Sequence, residues 1–309
     1  MTEQPIVLLT GATGYVGGLL LPLLEKQSVI VRCLARNPDK IRRSRETTQV
    51  VRGDVLDAAS LDEALKGVHT AYYLVHLMSG SKDFEREDRQ AATNFATAAK
   101  RAGVKRIIYL GGLGDDADPK LSPHLRSRHE VGEILRQSGI ETIEFRAGMV
   151  VGAGSLSYQL LKSLTDRLPV MLCPKWLSTP TQPIAVDDVL AYLLAAEELP
   201  AGESRIFEIG CPDVVTYSDL IRVYAKLKHL RRWLIFVPVL TPYLSGLWLA
   251  LVTPASFEVG RHLIEGLKNP TVVRDDAALK VFKVRPMSVK DAIRKAVELD
   301  RGGTTAAIR

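Results

Sequence analysis

The sequence contains only three cysteines, and no two of them are close together in the chain. Cys33, Cys173 and Cys211 lie far apart, without a Cys-x-x-Cys pair. Their spacing is not typical of a structural zinc site or of a disulfide framework. We therefore expect neither a metal site nor a disulfide scaffold, and we expect a reducing compartment.

Aromatic residues are also scarce, at 6% of the 309 residues. Proteins that bind single-stranded nucleic acid stack the bases on aromatic rings, so this composition disfavours a nucleic-acid partner. The formal net charge is +6, without a polybasic tail. A positive net charge favours an anionic ligand, but it does not identify which one. Residues 1–5 are polar and lead directly into an apolar run, which is not the pattern of a signal peptide, and we expect a cytoplasmic location.

Short apolar runs alternate with longer helical patterns through the first half of the chain. This alternation is typical of βαβ units around a parallel sheet. It predicts strands at 6–9, 30–35, around 50–51, 70–75, 106–110 and 141–146, and helices at 15–26, 61–66, 84–102 and 125–137. Gly103 and Gly139 lie where helices are expected to end. The predicted fold class is α/β, a Rossmann-type doubly wound parallel sheet with a smaller, mostly C-terminal lobe.

A glycine-rich segment follows the first predicted strand and opens the first predicted helix. Its residues are Thr10, Gly11, Ala12, Thr13, Gly14, Tyr15, Val16 and Gly17. Glycines let the backbone turn tightly and approach a pyrophosphate, and a helix N-terminus presents N–H groups and the positive end of its dipole. A glycine-rich turn in another α/β fold is the alternative. Because strand, turn, helix and second strand follow in the required order, we expect a nicotinamide dinucleotide site.

The end of the second predicted strand distinguishes between the two nicotinamide cofactors. NAD sites place an acidic residue there, against the ribose 2′-hydroxyl. This chain has Arg36 instead, and a guanidinium suits a 2′-phosphate. The other basic residues nearby are Arg32, Lys40, Arg42 and Arg43. Asp39 lies in the same segment, and a solvated basic turn is the alternative. We expect NADP(H) to be preferred, with NAD(H) as the second choice.

The strand–helix alternation ends after Arg146. Residues 158–167 and 187–198 are predicted helices, and 205–209 is a further predicted strand. We expect an NAD(P)-binding Rossmann domain over 1–150. In the mixed region 151–309, we expect residues 184–210 to rejoin the sheet and residues 151–183 and 211–285 to form a substrate lobe.

Several segments together resemble the atypical short-chain dehydrogenase/reductases of the NmrA-like and complex-I-subunit-like branch. The similarity is closest to a bacterial group of uncharacterised NAD(P)-binding proteins, and it covers essentially the whole chain. The segments are Thr-Gly-Ala-Thr-Gly-Tyr-Val-Gly at 10–17, Gly53-Asp54-Val55, Tyr73-Leu74-Val75-His76, His124-Leu125-Arg126-Ser127-Arg128, 146–152 and 231–235. The resemblance implies that Asp54 and Val55 face the adenine, and that Val75 and His76 border the nicotinamide half of the cofactor.

The chain departs from that superfamily at the catalytic positions. Its catalytic members carry a Ser and a Tyr-x-x-x-Lys pair. Here His124 and Arg128 occupy the pair's positions, four residues apart on one helix face, and glycines replace the Ser. Arg128 cannot lose its charge, and a cation beside His124 disfavours the imidazolium, so an alcohol dehydrogenase is disfavoured. Arg128 can still hydrogen-bond the cofactor ribose. Asn94 resembles the helix asparagine that supports the active site in the superfamily. For His76 and His124, a structural role is the alternative.

The most apolar stretch is Trp233–Thr253, which approaches the length of a transmembrane helix. Pro238 and Pro242 interrupt it, and its first residues have a strand-like pattern. The basic residues that precede it are Lys226, Lys228, Arg231 and Arg232. We favour a hydrophobic substrate lobe or core here, with an interfacial helix on anionic lipid as the alternative.

The function expected from these residues is an NADPH-dependent reductase of an apolar carbonyl or quinone-like substrate. A quinone or enone can take its proton from water, so the missing tyrosine does not preclude reduction. The alternative is a non-catalytic NADP(H)-binding sensor or assembly module. A third interpretation is a membrane-associated subunit of a complex. The expected partner is a small apolar substrate, with weak peripheral contact at the inner membrane surface as a further expectation.

Overall fold

The computed structural model describes residues 4–43, 45–77, 83–237 and 266–301. The chain divides into two compact units. The first comprises Met1–Gly112, Ser127–Arg146 and Leu190–Phe207. The second comprises Leu113–Arg126, Ala147–Val189 and Glu208–Arg309.

The described residues form strands and helices in alternation. The strands are β1 (Ile6–Thr10), β2 (Ile30–Ala35), β3 (Gln49–Arg52), β4 (Val68–Tyr73), β5 (Arg106–Gly112), β6 (Glu141–Ala147), β7 (Val150–Val151), β8 (Val170–Cys173), β9 (Pro180–Thr181), β10 (Ile184–Ala185), β11 (Arg205–Ile209), β12 (Val215–Thr216) and β13 (Trp233–Phe236). The helices are α1 (Tyr15–Leu24), α2 (Leu61–Leu65), α3 (Phe84–Ala102), α4 (Pro123–Gln137), α5 (Leu156–Arg167), α6 (Val186–Ala195), α7 (Tyr217–Leu227), α8 (Ala277–Val281) and α9 (Val289–Arg301).

A seven-stranded sheet forms the centre of the first unit, in the order β11-β6-β5-β4-β1-β2-β3. The pairs β1–β2, β1–β4, β2–β3 and β4–β5 are parallel. The chain thus runs outward from β1 to β3 on one side and from β4 onward on the other. This reversal is the topological switch point of a doubly wound sheet, and ligands bind there at the carboxyl ends of the strands. The α/β fold class predicted from the sequence is confirmed.

The core of the first unit lies between the sheet and the helices α2 and α3. Apolar residues of β1, β4 and β5 are buried as continuous runs because helices cover a parallel sheet. Helix α3 contributes Phe95, whose ring lies 4.8 Å from the ring of Tyr73. The helix ends at Gly103, which has the left-handed φ of +77° predicted for a helix end.

Strand β4 and helix α6 are among the elements whose bounds differ from the sequence-based prediction. Strand β4 was expected at 70–75 but ends at Tyr73. The Thr10 hydroxyl donates to the Tyr72 carbonyl at 2.9 Å and accepts from the Leu74 amide at 3.1 Å, so a side chain replaces a strand partner at Leu74. The helix expected at 187–198 ends at Ala195, and a 3-10 turn covers Ala196–Glu198.

The second unit contains three short strand pairs. Strands β7 and β10 are parallel, as are β8 and β13, whereas β9 and β12 are antiparallel. Helix α7 begins with a capping box, in which the Thr216 side chain accepts from the Asp219 amide and the Asp219 side chain accepts from the Thr216 amide. Aromatic residues of α5 and α7 pack in its core, with the rings of Tyr158 and Tyr224 6.1 Å apart.

The apolar stretch at 233–253 is described only at its beginning. Strand β13 confirms the extended structure predicted for its first residues. The remainder, including Pro238 and Pro242, lies outside the described residues. Among the helices that the structure describes, none combines the length and apolar character needed to cross a bilayer.

Candidate cofactor site

The glycine-rich turn between β1 and α1 is built on close backbone approaches. The Gly14 amide donates to the Gly11 carbonyl at 2.9 Å. Gly11 has a φ of +72°, and a Cβ there would lie 2.5 Å from the Leu74 carbonyl oxygen. A Cβ on Gly17 would lie 2.2 Å from the Gly11 carbonyl oxygen. Both positions therefore require glycine, and the turn is pressed against the segment that follows β4.

The N-terminus of α1 is available to an anion. The helix begins after Gly14, and Thr13 and Gly14 are both exposed. Within the described ranges, no side chain caps this terminus, and its first turn carries no acidic residue. The first amides of a helix lack internal partners and carry a partial positive charge. A phosphate group can satisfy them, as the sequence predicts for the pyrophosphate.

The basic residues Arg32 and Arg36, near the end of β2, have different roles. Arg36 directly follows the strand and is exposed. Arg32 is buried, and its guanidinium donates to the carbonyls of Ala64 and Lys66 at 2.9 and 2.7 Å. Arg32 therefore holds backbone in place, whereas Arg36 is left exposed directly after the strand. The selection of NADP(H) through Arg36 stays a prediction.

The segment after β3 carries the residues predicted to face the adenine. Asp54 is half-buried, and its carboxylate accepts from the Leu56 amide at 3.0 Å. The Val55 side chain is buried in the core of the first unit. Asn94 of α3 donates to the carbonyls of Val55 and Leu56 at 3.1 and 3.0 Å, so it holds this segment against the helix. The adenine contacts and the supporting role of Asn94 at the active site both stay predictions.

Asp88 of α3 and Arg128 of α4 hold the segment after β4, and Ser127 of α4 holds Asp88. Asp88 of α3 accepts from the Leu77 amide at 3.1 Å through Oδ1, and its Oδ2 lies 3.4 Å from His76 Nδ1. Ser127 of α4 donates to the same Oδ2 at 2.8 Å. Arg128 donates to the Val75 carbonyl at 3.3 Å.

The surroundings of Asp88 and His76 shift the pKa of each side chain. Burial raises the pKa of Asp88, but the hydrogen bonds from His76 and Ser127 and the charge of Arg128 outweigh it, so the pKa is lowered and Asp88 is a carboxylate. Burial is the main cause that lowers the pKa of His76, and the Arg128 charge adds to it against the hydrogen bond with Asp88. The His76 ring is therefore neutral near pH 7.

The resemblance predicts that His124 and Arg128 occupy the positions of the superfamily's Tyr and Lys. Arg128 belongs to the first unit. It is buried, with its guanidinium 4.9 Å from the centre of the Tyr109 ring. His124 belongs to the second unit and is half-buried. The roles predicted for both stay predictions.

Arg146 is a structural residue of the sheet. Its Nε donates to Glu144 Oε1 at 2.8 Å, and both side chains are buried. Arg136 also pairs with Glu144. Arg146 therefore forms a buried ion pair within the sheet.

Residues 11–166 match the model of a family described as NAD(P)H-binding, about half of the chain. The chain belongs to the NAD(P)H-binding family. The ceramide reductase of Caulobacter vibrioides is 27% identical over 265 residues, which are 83% of this chain and 82% of that protein. Photosystem II assembly factor Ycf39 of Cyanophora paradoxa is 23% identical over 300 residues, 91% of this chain and 88% of that protein.

Other similarities cover a smaller part of the chain or concern the fold alone. Cinnamoyl-CoA reductase 1 of Oryza sativa subsp. japonica is 29% identical over 130 residues, which are 39% of this chain and 38% of that protein. The crystal structure of NADPH-dependent quinone oxidoreductase QOR2 of Escherichia coli with NADPH superposes with a TM-score of 0.71. It has 19% sequence identity and covers 93% of this chain and 98% of that chain. The nicotinamide dinucleotide predicted from the glycine-rich segment is confirmed by the family, and the turn and the uncapped α1 fit it.

Sequence reasoning missed Asp88 and Ser127. Asp88 shares one face of α3 with Phe84, Ala91, Ala92 and Phe95, all of them buried. An acidic residue at helical spacing among buried apolar residues is a detectable signal, because a buried carboxylate needs partners. Ser127 is 39 residues away from its partner, and no local pattern links the two.

Proposed function

We propose that the protein is an NADPH-dependent reductase of an apolar carbonyl or quinone-like substrate. The observation that carries this proposal is the glycine turn pressed against the Leu74 carbonyl, beside the uncapped N-terminus of α1. This arrangement suits a dinucleotide whose nicotinamide end reaches the segment after β4. The names ceramide reductase and quinone oxidoreductase among similar proteins support reduction as the chemistry.

The proposed cofactor is NADPH rather than NADH. Arg36 is exposed at the end of β2, where an acidic residue would select the 2′-hydroxyl of NAD. The residues proposed to bind the cofactor are Thr10, Gly11, Thr13, Gly14, Tyr15, Val16, Gly17, Arg36, Asp54, Val55, Val75 and His76. Thr10 contributes through the backbone that its hydroxyl fixes, since that hydroxyl is already hydrogen-bonded at both the Tyr72 carbonyl and the Leu74 amide.

Arg128 is proposed to bind the cofactor's ribose, and His124 to contact the substrate. The Arg128 guanidinium donates to the Val75 carbonyl, so its charge lies against the segment that follows β4. Asn94 is proposed to support the site through the Val55 and Leu56 carbonyls.

The second candidate is a non-catalytic NADP(H)-binding module for assembly or sensing. The similarity to a protein named as an assembly factor, over 91% of this chain, favours it. The loss of the superfamily's Tyr and Lys is compatible with it. Such a module binds NADPH and consumes none.

We also propose weak peripheral contact with the inner face of the cytoplasmic membrane. Strands β8 and β13 pair in register, Val170 with Trp233 and Leu172 with Ile235. Side chains alternate between the two faces of a strand, and these four apolar residues form the exposed face. Trp233 is 72% exposed. The basic residues Lys226, Lys228 and Arg231 lie near it in the chain, and anionic lipid suits both features.

An NADPH-consumption assay tests the reductase against the module. Purified protein is mixed with NADPH and either menadione or 4-nitrobenzaldehyde, and absorbance at the NADPH band is followed. Steady consumption that depends on the acceptor supports the reductase. Tight NADPH binding by calorimetry, with no consumption for either acceptor, contradicts it and supports the binding module.

A further inference from the structure

The His76, Asp88 and Ser127 side chains form a connected group within the first unit. The Asp88 carboxylate is the centre of this group: its Oδ2 accepts from Ser127 Oγ at 2.8 Å and lies 3.4 Å from His76 Nδ1. Its other oxygen accepts from the Leu77 amide at 3.1 Å. One buried carboxylate thus lies against the histidine ring and accepts a hydrogen bond from the backbone beside it.

We propose, on the basis of the reductase function above, that His76 is the catalytic residue that exchanges a proton with the substrate, and that Asp88 and Ser127 are its positioning residues. This role differs from the cofactor contact expected for His76 from the sequence. It also differs from the superfamily's use of a tyrosine on the helix that here carries Arg128.

The position of His76 in the sheet supports this role. Strands β1 and β4 are neighbours at the switch point, where ligands bind beyond the strand ends. The Leu74 carbonyl lies against Gly11 of the glycine turn, and His76 follows two residues later. The His76 side chain is 23% exposed, whereas that of Asp88 is only 4% exposed. The ring therefore contacts a buried carboxylate and is itself partly exposed.

The contact with Asp88 determines which nitrogen of the ring handles protons. The Asp88 carboxylate lies 3.4 Å from the buried Nδ1, and its negative charge favours the tautomer with the proton on that nitrogen. In the neutral ring, Nε2 then carries the lone pair. A histidine held in one tautomer by a carboxylate is a familiar arrangement for a general acid–base group.

The proton transfer can be written in full for a carbonyl substrate. When bound, NADPH would supply the hydride that reduces the carbonyl carbon. The carbonyl oxygen keeps the electron pair of the broken π bond and takes a proton from Nε2–H of the His76 imidazolium. The ring becomes neutral and recovers its proton from water. One substrate, one NADPH and one proton thus give an alcohol and NADP⁺.

The charges around His76 set the direction of the pH dependence. Asp88 faces it from α3, and Arg128 faces it from α4; burial and Arg128 lower the His76 pKa, while Asp88 opposes them. Reduction needs the imidazolium, which exists below that pKa. The rate of reduction therefore falls as pH rises through a value below the ordinary histidine pKa.

The closing experiment compares His76→Gln, Asp88→Asn and Ser127→Ala with a matched control, His69→Gln. His69 is an exposed histidine on β4, outside the proposed site. We measure NADPH affinity by calorimetry and reduction of 4-nitrobenzaldehyde and menadione from pH 5 to 9. Nitrogen-15 NMR of the imidazoles in the cofactor-free protein reports the tautomer and the pKa of His76 without any turnover.

We expect His76→Gln to lower kcat with the aldehyde by at least about tenfold, since general acid–base groups contribute roughly 10²–10⁴-fold. NADPH affinity should fall less than kcat does, since the proposed cofactor site has many other contacts, and the dependence of the rate on pH should disappear. Menadione should lose less than the aldehyde, because the reduced quinone oxygen is less basic than an alkoxide. Asp88→Asn should shift the His76 tautomer and pKa in the NMR spectra, and Ser127→Ala should give a smaller shift.

The possible results separate the two proposals. If the wild-type protein reduces either probe and His76→Gln leaves the rate and the pH profile unchanged, the role of His76 is overturned and the reductase stands. If the wild-type protein binds NADPH but reduces neither probe, the reductase proposal is overturned, and the role of His76 with it. If Asp88→Asn leaves the His76 tautomer unchanged, the positioning role of Asp88 is wrong.

Discussion

The guanidinium of Arg128 lies 4.9 Å from the centre of the Tyr109 ring, while the Tyr109 hydroxyl donates to the Arg128 carbonyl at 2.9 Å. The two residues therefore hold each other through both side chain and backbone. Burial raises the pKa of Tyr109 to about 12, although the Arg128 charge opposes the shift, so Tyr109 stays a neutral donor. A cation fixed over an aromatic ring and hydrogen-bonded to Val75 has little freedom, which suits a residue that orients a ligand.

Arg128→Ala should weaken NADPH binding more than His124→Ala. The substitution removes the proposed ribose contact and the hydrogen bond to the Val75 carbonyl, but it keeps the backbone bond from Tyr109. Calorimetry with NADPH measures the effect, and urea unfolding checks that the variant is folded. Unchanged affinity in Arg128→Ala would place the ribose contact elsewhere along the strand ends.

Gly11→Ala should abolish NADPH binding. A Cβ there meets the Leu74 carbonyl at 2.5 Å, at a φ of +72° that alanine rarely adopts. Gly103→Ala is the matched control, because its φ is +77° but no atom lies within 4 Å of its added Cβ. We expect the control to lose about 1 kcal/mol of stability and to bind NADPH normally. Normal binding in Gly11→Ala would show that the turn is not the pyrophosphate site.

Arg36→Asp should reverse the preference between NADPH and NADH. A charge-assisted contact with the 2′-phosphate contributes about 1.5–3 kcal/mol, or roughly ten- to a hundred-fold in affinity. Lys40→Asp introduces the same charge change four residues later and should have a smaller effect. Calorimetry with both cofactors decides the question. Equal affinities of the wild-type protein for NADPH and NADH would contradict the proposal.

Glu144→Ala should destabilise the first unit strongly. The Glu144 side chain is fully buried and pairs with both Arg146 and Arg136, so its loss removes the buried carboxylate that the two guanidinium groups share. Breaking a buried pair in this way costs about 3–5 kcal/mol. Glu133→Ala is the control, because Glu133 pairs with the same Arg136 but is 52% exposed and should cost less than about 1 kcal/mol. Urea unfolding of both variants measures the difference; similar losses would show that burial does not govern these pairs.

Local patterns in the sequence predict much of the fold. Helix α3 was predicted with its observed bounds, because its alanines and phenylalanines recur at helical spacing and Gly103 ends it. The glycine turn was predicted because its chemistry depends on consecutive residues. The end of β4 could not be predicted, because it depends on the Thr10 hydroxyl, 64 residues away from the Leu74 amide that it binds.

The candidate site was predicted less completely than the fold, for the same physical reason. His76 was identified, but its partner Asp88 was not, since the two come together only when α3 packs beside the end of β4. Arg32 and Arg36 are both basic residues of the same segment, so the sequence does not distinguish their roles. Only the structure shows that Arg32 is buried and binds backbone carbonyls. Side-chain partners across long stretches of chain are set by packing, and a single sequence carries no local trace of them.

The protein should float with anionic vesicles at low salt and lose this association as salt rises. The exposed face of β8 and β13 presents Trp233, Leu172 and Ile235 to solvent, and burying them at a membrane surface is favourable. Basic residues add an attraction that salt screens. Flotation is measured with vesicles of phosphatidylglycerol and phosphatidylcholine and with phosphatidylcholine alone. We expect Trp233→Ser to lose the association, while Leu299→Ser, which removes another exposed apolar side chain of the second unit, keeps it.

Two results would contradict this prediction. If the wild-type protein does not float at low salt, the exposed face does not bind membranes. If Leu299→Ser is affected as strongly as Trp233→Ser, the association is not specific to β8 and β13.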